Sequence, residues 1–305
     1  MRKVTELEKL IFENNNAEIN SKDIIEFLNL KGPNHTGGYF HYTTAESFAK
    51  MLSSNKLHLS SGAEMNDLLE PKKCSPDRWK KIYIASFAFG KYENMAMWGI
   101  YGDPLNEAIR IKIPCTDLNN AIECAKETHK VYRAAFDEKN KNYHYEQLDA
   151  KFDIKIVDVI YYHEKSLEYN KNFINLKKYP NLQDSHLNAD FTGYLKNRAW
   201  FYENETRIIV EFEQCLPQTP TIAIDFSSAL KNLSITSSPC NSSASLKEIF
   251  KRKKISLSKF RLNIEESYYK GFLHFRKRCA ACTYNESERK HHCAYLQCCY
   301  PDTKG

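Results

Sequence analysis

Two carboxylates one residue apart, Glu203 and Glu205, stand at the head of a run that turns abruptly apolar, Arg207-Ile208-Ile209-Val210-Glu211-Phe212-Glu213, behind an aromatic approach, Trp200-Phe201-Tyr202. In an extended chain residues i and i+2 share a face, so the spacing predicts that both acids point the same way at a strand entrance. Paired acids suit cleavage of a glycosidic bond. One carboxylate stabilises positive charge developing at the anomeric carbon, and the other accepts the proton of the incoming nucleophile, work that contributes ~10²- to 10⁴-fold in rate. The plainer account of an isolated Glu-x-Glu is a hydrated strand edge. A second feature, far upstream, shifts the balance: His41-Tyr42-Thr43-Thr44 closes another aromatic strand.

The elements that must position these residues follow from pattern. Amphipathic helices are predicted at about 3–14 and 22–30, the second capped by Ser21. Gly32-Pro33 and Gly37-Gly38 then break the pattern, and Tyr39-Phe40-His41-Tyr42 reads as a strand. Thr43 with Glu46 forms a capping box, and the helix after it places Phe48, Met51 and Leu52 on one face. Strands are expected at 56–60, 82–87, 107–113, 154–161, 221–225 and 260–265, and helices near 186–197 and 245–253. The Glu203-Asn204-Glu205 segment reads as the start of a strand, Asn66 and Asp67 as an Asx turn, and 236–245 as a Ser-rich loop. Residues 117–150 look largely helical and have the charged, irregular character of an insertion. Short strands scattered among helices, with few βαβ repeats, predict an α+β mixed-sheet domain.

A chain of 305 residues with 42% hydrophobic and 13% aromatic content has the composition of a folded domain with a substantial core. No apolar run reaches the ~20 residues that span a bilayer, and the N-terminal stretch lacks a signal-peptide apolar region, which predicts a cytoplasmic protein without membrane contact. In that reducing setting the ten cysteines read as buried thiols or metal ligands. Neither phosphate-cradling glycine loop occurs, nor a Gly-x-Ser-x-Gly elbow.

The motifs Tyr-Phe-His-Tyr-Thr-Thr at 39–44, Met-Asn-Asp with a nearby Glu at 65–70, Ala-Ser-Phe at 85–87, Met-Trp-x-x-Tyr at 97–101 and Trp-Phe-Tyr-Glu-Asn-Glu-Thr-Arg at 200–207 come in an order that resembles a large bacterial family catalogued as a domain of unknown function. The likeness spans residues 38–268. Its framework is similar to the ADP-ribosyltransferase superfamily, including toxins that modify nucleic acid. The resemblance implies a mixed β-sheet core with flanking helices, preceded by a helical segment at 1–37, and an NAD-dependent mono-ADP-ribosyltransferase, a toxin or phage-defence effector. It implies that His41 binds a ribose hydroxyl of NAD, that the Tyr42 backbone and Thr43 hydroxyl lie near the carboxamide, that Glu205 holds the nicotinamide ribose, and that Glu203 orients the nucleophile. The Ser-Thr-Ser segment of some transferases is here reduced to Ala85-Ser86-Phe87-Ala88.

Tyr42, Trp98 and Tyr101 have the ring types to stack on nicotinamide or adenine and exclude water, although residues at i and i+3 such as Trp98 and Tyr101 are more often core. Arg207 has two candidate roles, a clamp on the pyrophosphate or a same-face ion pair with Glu205.

Residues 251–305 carry 13 Lys and Arg against 5 Asp and Glu, so this end is at +8 while residues 1–250 are at −2. Half of the ten cysteines fall there as Cys279, Cys282, Cys293, Cys298 and Cys299, beside His291 and His292. Cys279-x-x-Cys282 is a knuckle that offers two thiolates to one tetrahedral ion, with Cys293 and Cys298 or His292 completing a zinc site. A small basic Cys/His-rich appendage at 269–305, with tyrosines interleaved, suits nucleic acid or a protein partner such as an antitoxin or chaperone. The rival to the transferase is a non-catalytic nucleic-acid-binding or partner-docking protein. An NAD glycohydrolase shares the same cleft and uses water as acceptor.

Overall fold

A computed structural model describes residues 37–65, 75–90, 92–102, 107–140, 142–162, 191–252 and 263–272, with Ile25, Glu26, Asn29, Pro33 and His35 upstream. The helix read at 3–14, the Asn66-Asp67 turn and the Cys/His-rich tail lie outside these residues. The described chain is α+β: an eleven-stranded mixed sheet with few helices, and a separate two-stranded ribbon. No described helix is long and apolar enough to cross a membrane.

Strand β1 (Tyr39–Thr44) leads through helix α1 (Ala45–Ser54) to β2 (Lys56–Ser61). Thr44, not Thr43, caps α1, its side chain accepting from the Ser47 amide. The strand keeps its pairing through Thr44 opposite Ala108, so the extended residue that can cap comes one position later than the Thr43–Glu46 spacing suggested. Phe48 and Leu52 are buried on the apolar stripe as expected. A short helix α2 (Pro76–Trp79) precedes β3 (Ile82–Phe89), then come α3 (Met95–Tyr101) and β4 (Ala108–Ile113).

The largest departure lies in 117–150. Only α4 (Cys115–Thr128) is helical; β5 (Val131–Asp137) and β6 (Asn142–Gln147) form a hairpin, and β5 pairs with β11 (Thr221–Asp225). The segment is therefore built into the main sheet and is no insertion. Val131 and Ala134 are its buried positions, and the Asp137 carboxylate closes the turn by accepting from the Lys139 and Asn140 amides. Polar residues on the open side of the hairpin hide the two-residue period.

Strand β7 (Phe152–Asp158) pairs with β10 (Glu205–Phe212), and β8 (Ile160–Tyr162) pairs in parallel with β9 (Leu195–Asn197). The helix expected at 186–197 is absent at its described end, because Gly193 sits at φ +86° and the chain then turns extended. Strand β12 (Ser234–Ser237), α5 (Ser243–Arg252) and β13 (Asn263–Glu265) complete the sheet edge; β12 begins where only a loop was expected, buried through Ile235.

The sheet buries both faces. Helices α1, α4 and α5 cover the Tyr39, Phe87, Ile109 and Val210 side in the main core, where Phe48 and Phe250 meet at 5.9 Å. Helix α3 covers Phe40, Tyr42 and Ala88 on the other side with Met97 and Trp98. Each fully buried apolar side chain contributes roughly 1.5–3 kcal/mol, so these two layers fix β1, β3 and β10 as a rigid frame.

Candidate functional site

The frame has one discontinuity. Strand β1 pairs with β3 only at Tyr39–Phe89 and Phe40–Ala88, and β2 pairs with β3 only at Ser60–Ile84 and Ser61–Tyr83. Ser86 lies between these ladders, while on the opposite side β10 runs unbroken along β3 and sets Arg207 against Ser86. The sheet thus splits beside Ser86, and the split is where the sequence-predicted residues gather.

His41, half-buried, turns its Nδ1 to the Ser86 carbonyl at 3.1 Å. A carbonyl only accepts, so Nδ1 carries the hydrogen and Nε2 keeps a lone pair. Burial pushes the His41 pKa down, against the opposing effect of that same hydrogen bond, which favours the neutral ring. From the same residue, Ser86 Oγ donates to Glu205 Oε1 at 2.5 Å. One serine therefore links the imidazole, through its backbone, to the carboxylate, through its side chain.

The two acids converge by a route that spacing alone did not reveal. Glu203 is not in the strand: it ends a 3₁₀ helix, Arg198–Glu203, capped by the Asn197 side chain. Asn204 then takes a left-handed conformation at φ 43°, which asparagine tolerates, and β10 starts at Glu205. The turn folds both carboxylates onto Lys196 of β9, whose Nζ lies 2.5 Å from Glu203 Oε2 and 3.0 Å from Glu205 Oε2.

Arg207 takes up the rest of Glu205, with Nε 2.8 Å from Oε1 and Nη2 3.2 Å from Oε2, and gives Nη1 to the Gly193 carbonyl at 2.9 Å. Gly193 is required there twice over: its φ is left-handed, and a Cβ would come within 3.1 Å of Ile209 Cδ1. Of the two roles considered for Arg207, the geometry forms the ion pair with Glu205; the residue is 0% exposed. Tyr101 donates to Glu203 Oε1 at 2.7 Å, and the Glu205 amide donates to the Tyr161 hydroxyl at 2.8 Å.

An ionised carboxylate has about four acceptor positions. Glu205 fills them with Ser86, Lys196 and two nitrogens of Arg207, whereas Glu203 has the donors Tyr101 and Lys196, one on each oxygen. Both acids are buried, at 3% and 2% exposure. Burial alone would raise the Glu205 pKa, but the Arg207 and Lys196 charges, with hydrogen bonds from Arg207 and Ser86, outweigh it and hold the group at about 2. Burial and then the Glu203 charge push the Tyr101 phenol up, so it remains a hydrogen-bond donor.

Tyr42 and Trp98 belong to the wall behind. Trp98 is buried with its indole N–H on Glu93 Oε2 at 3.0 Å, and it meets Tyr42 edge-on at 5.0 Å; the Tyr42 hydroxyl accepts from the Asn94 amide. Thr43 is buried one residue beyond. Sequence reasoning missed Lys196, Tyr161 and the linking role of Ser86. A lysine between Leu195 and Asn197 carries no periodic signal, and only the short apolar stretch around it hints at burial. Cys279, Cys282, Cys293 and Cys298 lie outside the described residues, and among the described residues no group of three or more His, Cys, Asp or Glu is disposed to hold a metal.

Compared with protein-family models, with curated proteins and with solved structures, the chain has no match in any of the three. What the site can do chemically is set by its own groups: an anchored anion, a second acid with acceptor positions to spare, a neutral imidazole and a phenol that donates.

Proposed function

We propose that the chain is an NAD-dependent mono-ADP-ribosyltransferase with an ADP-ribosyltransferase-like split sheet, acting as a toxin or defence effector on nucleic acid or protein. The observation that carries this reading is the single residue Ser86 joined to His41 at 3.1 Å and to Glu205 at 2.5 Å, at the point where the β1 and β2 ladders part. Residues 164 positions apart in the chain thereby share one cleft edge.

In this reaction the bond between nicotinamide nitrogen and the ribose anomeric carbon breaks, the electron pair leaving with nicotinamide, and the sugar develops oxocarbenium character. Glu205, held ionised and immobile, supplies the negative field at no reorganisation cost. Glu203 takes the proton of the attacking acceptor on its remaining lone pairs, and the His41 Nε2 accepts from a ribose hydroxyl. Tyr101, half-buried over Glu203, is the group an incoming substrate displaces.

Incubation with labelled NAD and cell lysate, followed by nuclease or protease in separate arms, tests the reading. Label is expected on a macromolecule and is expected to vanish with Glu203→Gln. If no label is transferred, the transferase reading falls, and free ADP-ribose without labelled macromolecule selects a glycohydrolase. The saturation of Glu205 favours a second reading, in which the four buried charges are a structural network and the protein is a docking module. It requires that Glu205→Gln lower stability yet leave the cellular effect intact, while removal of residues 269–305 abolishes that effect.

A further inference from the structure

A second buried arginine stands in contrast to Arg207. Arg110 on β4 sits opposite Tyr42 of β1 on one side and Thr236 of β12 on the other, and is 8% exposed. Its guanidinium lies over the Phe40 ring, 4.4 Å from the centroid, which fixes its plane. Nη2 has one long contact, 3.4 Å to Thr236 Oγ1, while Nε and Nη1 have no hydrogen-bond partner. No ion pair reaches it among the described residues. A buried cation in that condition is costly, and buried charges are as a rule paired.

The two open nitrogens lie on different edges of the guanidinium plane. A single-oxygen acceptor serves one edge; a group with several charged oxygens serves both. Strand alternation puts Arg110, Tyr42, Phe40, Ala88 and Glu205 on the same side of the sheet, with Arg110 three strand-to-strand steps from Glu205, about 14 Å at ~4.8 Å per step. Helix α3 covers the ground between them, so Arg110 marks the β4 rim of the core beneath α3 and the acids mark the β10 rim.

We propose that Arg110 is the receptor for a diphosphate group, that of a nucleotide entering at the β4 rim. The assignment stands on the surroundings of Arg110 and does not require the transferase reading. If NAD is the nucleotide, its diphosphate is the group bound there.

The test is ligand-induced thermal stabilisation and calorimetric affinity of the full chain with inorganic pyrophosphate, ADP-ribose and nicotinamide riboside, for the parent, Arg110→Met and Arg110→Lys. The parent is expected to be stabilised by ADP-ribose, and by pyrophosphate if the free anion suffices, in proportion to occupancy. Arg110→Met is expected to melt at a higher temperature than the parent without ligand, since it removes an unpaired buried charge, and to bind ADP-ribose at least tenfold more weakly. Arg110→Lys keeps the charge without the planar fork and is expected to fall between. Nicotinamide riboside, which has no phosphate, is expected to be indifferent to both changes. Unaltered ADP-ribose affinity in Arg110→Met, or no stabilisation of the parent by either phosphate compound, overturns the proposal. Phosphate binding through Arg110 with no transfer of label from NAD would leave the receptor standing and remove the transferase.

Discussion

Strand β10 holds a glutamate between two cations at each end of one face, and the two ends are built to different specifications. At the far end Glu211 takes Arg78 on both oxygens, at 2.6 and 2.8 Å, and Lys155 at 3.2 Å, and it keeps 23% of its side chain exposed. One acid, two cations and access to water make a clamp that ties α2, β7 and β10 together. At the near end Glu205 has the same two-cation arrangement, but water is excluded and a second acid, Glu203, is folded onto the same lysine. Two apolar side chains would fill that volume at less cost. A clamp explains Glu211; it does not explain why a buried acid with unused acceptor positions is kept beside Glu205.

The sharpest way to break this contrast is to neutralise each glutamate in turn. Glu205→Gln leaves Lys196 and Arg207 buried with half their counter-charge, and the loss of stability in denaturant titration is expected to be about 3–5 kcal/mol, the range for a broken buried pair. Glu211→Gln keeps a hydrated surround and is expected to cost about 1 kcal/mol with label transfer unchanged. Equal costs at the two ends would show that burial does not distinguish them.

Glu203→Gln sharpens the contrast further, because glutamine retains an acceptor for Tyr101 while losing proton affinity. Transfer is expected to fall ~10²-fold or more with stability altered by much less than in Glu205→Gln. Lys196→Met comes next. It leaves two adjacent carboxylates facing Arg207 alone, and one of them is expected to take up a proton. Stability of this variant is expected to improve on mild acidification, where the parent weakens; a parallel pH response would mean that Lys196 does not set the charge state of the pair.

The contrast also marks what sequence could and could not supply. The strands that build the frame were legible because β1, β3 and β10 alternate or run apolar over six to eight residues, and the caps and apolar stripe of α1 were legible to within one position. His41, Glu203 and Glu205 were legible as residue types at strand ends. Their assembly was not. Glu203 reaches Lys196 through a left-handed asparagine that the Glu-x-Glu spacing disguises as continuous strand, and Ser86 earns its position from a gap between two ladders, a property of neighbours far apart in sequence. The β5–β6 hairpin was lost for a related reason: its open face is polar, and only pairing with β11 makes it part of the sheet.

The smallest expected effect concerns His41 and the pH dependence of folding. Its folded pKa lies below the ordinary 6.5 because burial disfavours the charged ring. Between those two values the unfolded chain binds the proton and the folded chain does not, so the contribution of His41 is fully present above pH 6.5 and is lost as pH falls. His58, buried near Lys50 and held at about 4, gives a slope of the same sign in the same window. Glu205 adds its own loss lower down, starting near the ordinary carboxyl value of 4.5 and continuing toward its folded value of about 2. His41→Asn is therefore expected to flatten part of the stability profile just below pH 6.5, His58→Asn another part, and neither to touch the decline below pH 4.5. That lower decline is expected to shrink only in Glu205→Gln, so the three variants separate the imidazole side of Ser86 from its carboxylate side. A profile in which His41→Asn also removes the acid decline would mean that His41 and Glu205 titrate as one unit across the serine.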